Sequence, residues 1–576
     1  MSSPGPVLAS CTAQGAGATL TSPAIPRHYR RPDERPFTVA ERDRTTLLFG
    51  GLTPTHERLI EAAFQAGGYR LQRLPTPDLA AFHLGREYCN TGQCNPTYFT
   101  IGSLLGALFD LEARGYSRRE IIERFVFFTA GSCGPCRFGM YESEYRLALQ
   151  NAGFDGFRVL LFDQDAGLSA GTSEPGLTFT LNLGLGTLNA FNIGDVLQDL
   201  AYRLRPYEIR PGETDRAIED CLAVLTEGLR TARPVEPIDA VPAWLSTVAR
   251  RHTWLEETIN CLGKLHFHLY SERHRALLRT CRERIDRIEI DRTRVKPIVK
   301  VAGEFWAQTT EGDGNYRMFA FLEQEGAQVL VEPIGTWTMY LLHHEKAQAR
   351  ARKGLEVPHV NPAWWQLRKR MANGWRFWKR WLLLSLAEAF YARQFHRVAH
   401  ALGGITPDLV PQRELASLAH AFYHTLLRGG EGHLEVAKNI YYTKNRLCHM
   451  VLSLKPFGCM PSSQSDGVQS AVVMRFPGMI FLPIETSGEG EVNAHSRAQM
   501  SLSDAKARTR AEFDRAVQAT GKRLEVLRAF AAARSELRRP LYRVPRRQGV
   551  AGVAANFVHH VSDLMDGHAT AVRAAR

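Results

Sequence analysis

The sequence predicts an α/β protein with two parallel-sheet domains, helical insertions and a helical C-terminus. Three observations predict it. Short apolar runs of strand length alternate with longer segments of helical period, in the order expected of strand–helix–strand units. The alternation occurs twice, separated by a long helical stretch. With 576 residues, the chain also exceeds what one hydrophobic core usually accommodates.

Residues 1–40 read as a disordered tail, rich in Ser, Gly, Ala and Pro. A charged segment followed by an apolar core is missing there, so it does not resemble a secretory signal. The first α/β domain is expected over 41–165, with strands at 45–50, 69–74, 125–128 and 157–162 and helices at 54–65, 98–113 and 138–151. Residues 166–294 form a helical connector. The second α/β domain comprises 295–345 plus 430–510, with strands at 295–301, 327–332, 450–454 and 479–483. A helix at 315–325 is closed by Gly326. Between its two parts lies a helical aromatic insertion, 346–429, containing Trp364, Trp365, Trp375, Trp378 and Trp381. Those indoles read as a packing or dimer surface, with a cofactor-stacking platform as the alternative. Residues 511–576 form a C-terminal helical extension.

Ten cysteines at irregular spacing do not make the dense framework of a secreted scaffold, which points to a reducing cytoplasm. No apolar run reaches the roughly 18 to 20 residues of a bilayer span. The nearest, 381–390, is shorter and flanked by Arg and Lys. A formal charge of +13 would suit an anionic partner such as nucleic acid, nucleotide or the phosphates of coenzyme A. Much of it lies in 368–380 and 534–547, which read as solvated helix faces rather than a nucleic-acid site.

The chemistry concentrates in cysteine loops. Cys89 and Cys94 are separated by Asn-Thr-Gly-Gln, Cys133 and Cys136 form a CGPC tetrad after an apolar strand, and Cys459 sits in Phe-Gly-Cys-Met-Pro. Glycine and proline around each allow close backbone approach and N–H donation to sulfur. Three chemistries suit such a set: a dithiol redox pair, a structural zinc site and a metal cluster. CGPC is also the active tetrad of thioredoxins, but Ser132 stands where those domains usually carry Trp. Cys11, Cys221, Cys261, Cys281 and Cys448 read as inert fillers. Glu485, Glu489, Glu491 and His495 follow a strand and are candidates for proton transfer, against the alternative of a solvated loop. Arg86 and Arg137 flank cysteine loops. They either neutralise an anionic ligand or pair with Glu87 and Glu142. Glu304 and Thr310 follow the first strand of the second domain and are expected to face the same cleft.

At Gly134-Pro-Cys-Arg-Phe-Gly-Met-Tyr141, Gly194-Asp-Val-Leu-Gln-Asp199, Arg205-Pro-Tyr-Glu-Ile209, Gly303-Glu304 and Phe457-Gly-Cys-Met-Pro461, the sequence resembles the 2-hydroxyacyl-CoA dehydratase and benzoyl-CoA reductase superfamily. It is most similar to the branch of activase-associated and double-cubane-cluster proteins. The resemblance implies two Rossmann-like domains with an iron–sulfur cluster, [4Fe-4S] or double-cubane, in the cleft between them. Carried over by position, Cys94, Cys136 and Cys459 are the implied ligands, with Cys89 and Cys133 as additional thiols.

It further implies an oxygen-sensitive reductase or dehydratase component in a homo- or heterodimer. An ATP-hydrolysing actin-like activator with its own cluster would supply low-potential electrons, and an acyl-CoA would be the substrate. A non-catalytic electron carrier or scaffold is the alternative. This chain has no GxxxxGK[ST] phosphate loop of its own, so ATP dependence would come from the partner.

Overall fold

A computed structural model of the chain describes residues 34–131, 136–163, 167–168, 175–232, 237–239, 241–352, 367–427 and 429–574. Two sheets organise it, as the apolar alternation predicts. The first comprises β1 (Thr46–Phe49), β2 (Arg70–Arg73), β3 (Phe125–Gly131), β4 (Arg158–Asp163) and the short β5 (Gly167–Leu168). Its order is β2-β1-β3-β4-β5, parallel except for the β4–β5 pair. The second comprises β6 (Ile298–Gly303), β7 (Gln328–Leu330), β8 (Met450–Pro456) and β9 (Phe481–Thr486), ordered β7-β6-β8-β9 and parallel throughout. Strand order thus reverses at equivalent places, between β1 and β3 and between β6 and β8. Ligands in open parallel sheets bind outside the carboxyl ends of such strands.

The first domain carries α1 (Pro54–Ala66), α2 (Leu79–Tyr88), α3 (Asn95–Ala113), α4 (Arg118–Arg124) and α5 (Tyr141–Asn151). Neither α2 nor α4 is among the expected helices. Each is short and announced by its cap: Asp78 accepts from Ala81 N, and Ser117 with Glu120 forms a capping box. The connector region contributes α6 (Leu181–Leu204), α7 (Glu213–Arg230), α8 (Ala243–Ala249), α9 (Thr253–Leu265) and α10 (Glu272–Ile285). Its role is more than connection. Ile193, Val196, Leu197 and Leu200 of α6 share a core with Leu59, Ile60 and Phe64 of α1. Gly194 permits this approach, because a Cβ there would stand 2.5 Å from the His56 ring.

The second domain adds α11 (Phe305–Thr309), α12 (Met318–Gln324) and α13 (Ile334–Ala351), then α14 (Leu367–Ala401), α15 (Gln412–Ala419), α16 (Leu434–Lys444) and α17 (Met460–Arg475). The expected helix at 315–325 starts later because Tyr316 and Arg317 adopt left-handed backbone, which ends the preceding turn before α12 begins. Phe395, Val398 and Leu402 at the end of α14 enter the core of the first domain. The inserted segment therefore ties the domains together. Finally α18 (Glu491–Thr520), α19 (Leu524–Ala532) and α20 (Val553–Ala574) close the chain, packing Phe513, Leu527, Phe557 and Val561 into a separate small core. Among the described residues no helix is long and apolar enough to cross a membrane.

Candidate functional site

Cys94, Cys136 and Cys459 occupy equivalent local positions. Cys94 is the N-cap of α3 and Cys459 the N-cap of α17, each followed by proline in the first turn, and Cys136 precedes a 3-10 turn over Arg137–Met140. All three have extended backbone, and none of the thiols caps its own helix. The sulfurs are therefore free of that task at ends where unsatisfied N–H groups and the positive helix terminus favour anions. Cys136 follows β3 and Cys459 follows β8, the strands beside each reversal of order. A backbone hydrogen bond from Asn95 N to Phe457 O, 3.2 Å, joins the Cys94 and Cys459 loops across the domains. At Gly458 an added Cβ would stand 3.5 Å from Cys94 Cα.

The thiols share one electrostatic environment. Burial pushes Cys136 up to about 12, with the charges of Glu304, Cys94 and Glu431 adding to it. Burial also raises Cys459, and Glu304 and Cys136 raise it further. Cys94 is raised by burial and by Glu304, opposed by its contacts to Thr97 Oγ1 at 3.3 Å and Tyr141 Oη at 2.9 Å. Glu304 thus acts on all three. Its position comes from Gly303, whose φ of 114° turns the chain at the end of β6, where a Cβ would stand 1.9 Å from Leu454 O. Glu304 then caps α11, accepting from Ala307 N at 3.0 Å, and burial pushes its carboxyl up to about 7. Glu431 is buried, and burial pushes it up to about 8; its Oε1 has no hydrogen-bond partner.

Among the described residues no three His, Cys, Asp or Glu side chains are gathered closely enough for a single metal ion. A cuboidal cluster presents a different iron to each thiolate and takes its ligands from wider spacing. The donor set fits that group: three soft thiols at helix starts, which burial keeps protonated and which a cationic iron centre would favour as thiolates. No protein-family model and no curated protein matches this chain. The site's chemistry therefore rests on its own residues.

The other expected site residues divide. Cys89 caps the end of α2 and is pushed up to about 12 by burial and by Glu144, on the side of Tyr145 rather than Glu304. Cys133 lies outside the described residues. Arg137 donates from Nη1 to Gly92 O, and Arg86 stands 3.9 Å from Glu489. These contacts differ from the expected pairs with Glu142 and Glu87; Glu142 pairs with Arg146 instead. Glu485, Glu489 and Glu491 are exposed. His495 stacks on Phe321 with ring centroids 3.9 Å apart, and its Nε2 lies 2.8 Å from Tyr316 O. Thr310 is buried and its carbonyl accepts from Asn315 Nδ2 at 2.7 Å.

Sequence reasoning missed Glu431 and a network behind the Cys459 loop. Lys455 of β8 is buried and pairs with Glu435 Oε1 at 3.0 Å and with Asp466, while Glu435 also accepts from Ser453 at 2.6 Å and from Ser465. A lysine between Leu454 and Pro456 in a buried strand was the available signal, since a strand ammonium without a carboxylate partner is costly. Glu431 gave none, standing in a Gly-rich turn. A separate cavity of about 520 Å³ is lined by Tyr202, Arg205, Glu311, Arg317, Phe319 and Glu323 among others and by no cysteine. Its cations are already paired, Arg205 with Glu323 and Asp215, and Arg317 with Asp313.

Proposed function

We propose that the protein is a cytoplasmic iron–sulfur protein of the 2-hydroxyacyl-CoA dehydratase and benzoyl-CoA reductase type, a low-potential reductase or dehydratase component. The observation that carries this reading is that Cys94, Cys136 and Cys459 each stand at a helix start after a loop, with the Cys94 and Cys459 loops joined across the domains by the Asn95–Phe457 backbone bond. When bound, an iron–sulfur cluster supplies one-electron chemistry whose potential depends on burial and on hydrogen bonds to sulfur. In this chain Cys94, Cys136 and Cys459 would hold it, and the hydroxyls of Thr97 and Tyr141, 3.3 and 2.9 Å from the Cys94 sulfur, would donate to its thiolate. Burial pushes the Glu431 carboxyl up to about 8, which favours its protonated form at neutral pH.

Met140, Phe457 and Met460 are exposed beside Cys136 and Cys459, an apolar rim suited to a protein electron donor. An ATP-hydrolysing actin-like activator is the partner this reading expects, with an acyl-CoA as substrate and a homo- or heterodimer as the assembly. That rim equally favours a second reading, in which the chain carries electrons to a separate catalytic subunit.

Anaerobic purification with iron and acid-labile sulfide analysis tests the proposal. Iron and sulfide are expected together, and Cys94→Ala, Cys136→Ala and Cys459→Ala each lose most of the iron. Stoichiometric zinc without sulfide, or full iron in all three variants, overturns it.

A further inference from the structure

Helix α14 behaves as two halves. Its C-terminal part is anchored: Tyr391, Phe395 and Val398 are buried. The preceding part leans on α13, where Lys346 lies 5.4 Å from the Trp381 ring centroid and pairs with Glu388. Beside the α13 contact, Trp375 is 71% exposed, Trp378 54%, Leu382 53% and Leu386 57%, with the Trp378 ring edge-to-face on Trp381. Spacings of three, four and four residues put these side chains on one stripe, about 16 Å long at the α-helical rise. Leu383, 57% exposed, widens it. Indoles and leucines more than half exposed in such a row are not the ordinary scatter of surface apolar residues.

The charged residues on this half of α14 have one sign. Arg376 and Lys379 are exposed along it, and Arg380 joins them while pairing with Glu345 at 2.8 Å. Arg368, Lys369 and Arg370 precede them in the same helix, and no acidic residue occurs from Leu367 until Glu388. A two-fold pairing of this face with its copy would bring the cationic edges together. Nucleic acid would satisfy the charge, yet leucines at the middle of the stripe offer it neither a hydrogen bond nor a stacking plane. An apolar face with Trp at one end and a Lys/Arg border matches the boundary between lipid headgroups and acyl chains. We propose that the N-terminal half of α14 docks the protein peripherally on an anionic lipid surface, with Trp375, Trp378, Leu382 and Leu386 in the interface. This surface is independent of the cysteine cleft.

Co-sedimentation of the full-length protein with vesicles of phosphatidylcholine alone, and with phosphatidylglycerol added, tests it. Binding is expected only to the mixed vesicles, weakening with salt and accompanied by a blue shift of tryptophan emission. Arg376→Glu with Lys379→Glu weakens binding by at least about tenfold, taking about 1 kcal/mol per basic residue. Leu382→Gln with Leu386→Gln removes the blue shift; both pairs are exposed, and unchanged far-ultraviolet circular dichroism confirms that the variants fold. Equal binding to both vesicle types, no binding to either, or unaltered binding by both variants overturns the proposal. So does a concentration-dependent dimer that the leucine variant abolishes while vesicles are ignored, or preference for an oligonucleotide that displaces the vesicles.

Discussion

Two polar clusters bridge the domains and differ in how their members satisfy one another. In the first, His56 Nδ1 lies 2.7 Å from Thr53 Oγ1 and His56 Nε2 lies 3.2 Å from Asp195 Oδ1. Asp195 also accepts from Ile334 N at 2.7 Å and Gly335 N at 2.8 Å, capping α13. The order Thr, His, Asp matches a nucleophile relay, yet all three are buried and the carboxylate is committed to a helix start. In the second, burial raises the proton affinity of Cys94, Cys136, Cys459, Glu304 and Glu431, Glu304 adds to that of the three thiols and of Glu431, and Glu431 Oε1 has no hydrogen-bond partner. Complementary groups make a joint. Buried acids that the fold keeps protonated are groups that a cation would favour in their ionised form.

Breaking the joint has the largest expected effect. Asp195→Ala leaves His56 and two α13 N–H groups buried without their acceptor and lowers stability by about 3 to 5 kcal/mol, read from the urea midpoint. An unchanged midpoint would erase the distinction between the clusters.

The buried acidic cluster predicts the opposite sign. Burial pushes the Glu431 carboxyl from its ordinary 4.5 up to about 8, so between those values the folded protein keeps a proton that the unfolded chain has released. Stability of the metal-free protein therefore falls as pH rises through that window, and Glu304, at about 7, adds to the fall. Glu431→Gln removes its share and makes the metal-free protein more stable than the parent by about 2 kcal/mol at pH 8, with little difference at pH 5. Urea titrations at the two pH values check this.

The smallest effect sharpens the boundary of the site. His495 is half-buried against Phe321 and outside the cluster field, so His495→Ala costs about 1 kcal/mol from the lost stack and leaves bound iron unchanged. Iron loss in that variant would extend the site to the loop after β9.

Much of the scaffold was legible because parallel strands buried on both faces leave apolar runs, and β1, β3, β6, β8 and β9 fall where those runs do. α2 was not legible: few of its residues are buried, so it lacks a strong apolar stripe. The cysteine loops were visible as Gly- and Pro-flanked motifs. Their relation to Glu304 was an inference from topology, and Glu431 had no local signature because its burial comes from distant elements. Glu485 and His495 show the reverse, chemically suitable residues that the fold turns to solvent or to an aromatic ring.

By itself the sequence determined two α/β units, the Gly- and Pro-flanked cysteine loops and the basic run over 368–380, all of which depend on neighbours within a few turns of chain. Tertiary structure alone decided which polar residues meet. The Asn95–Phe457 bond, the Gly303 turn and the Gly194–His56 approach set distances across hundreds of residues, and whether a buried carboxylate finds a donor or a rival charge depends on those distances rather than on its own segment.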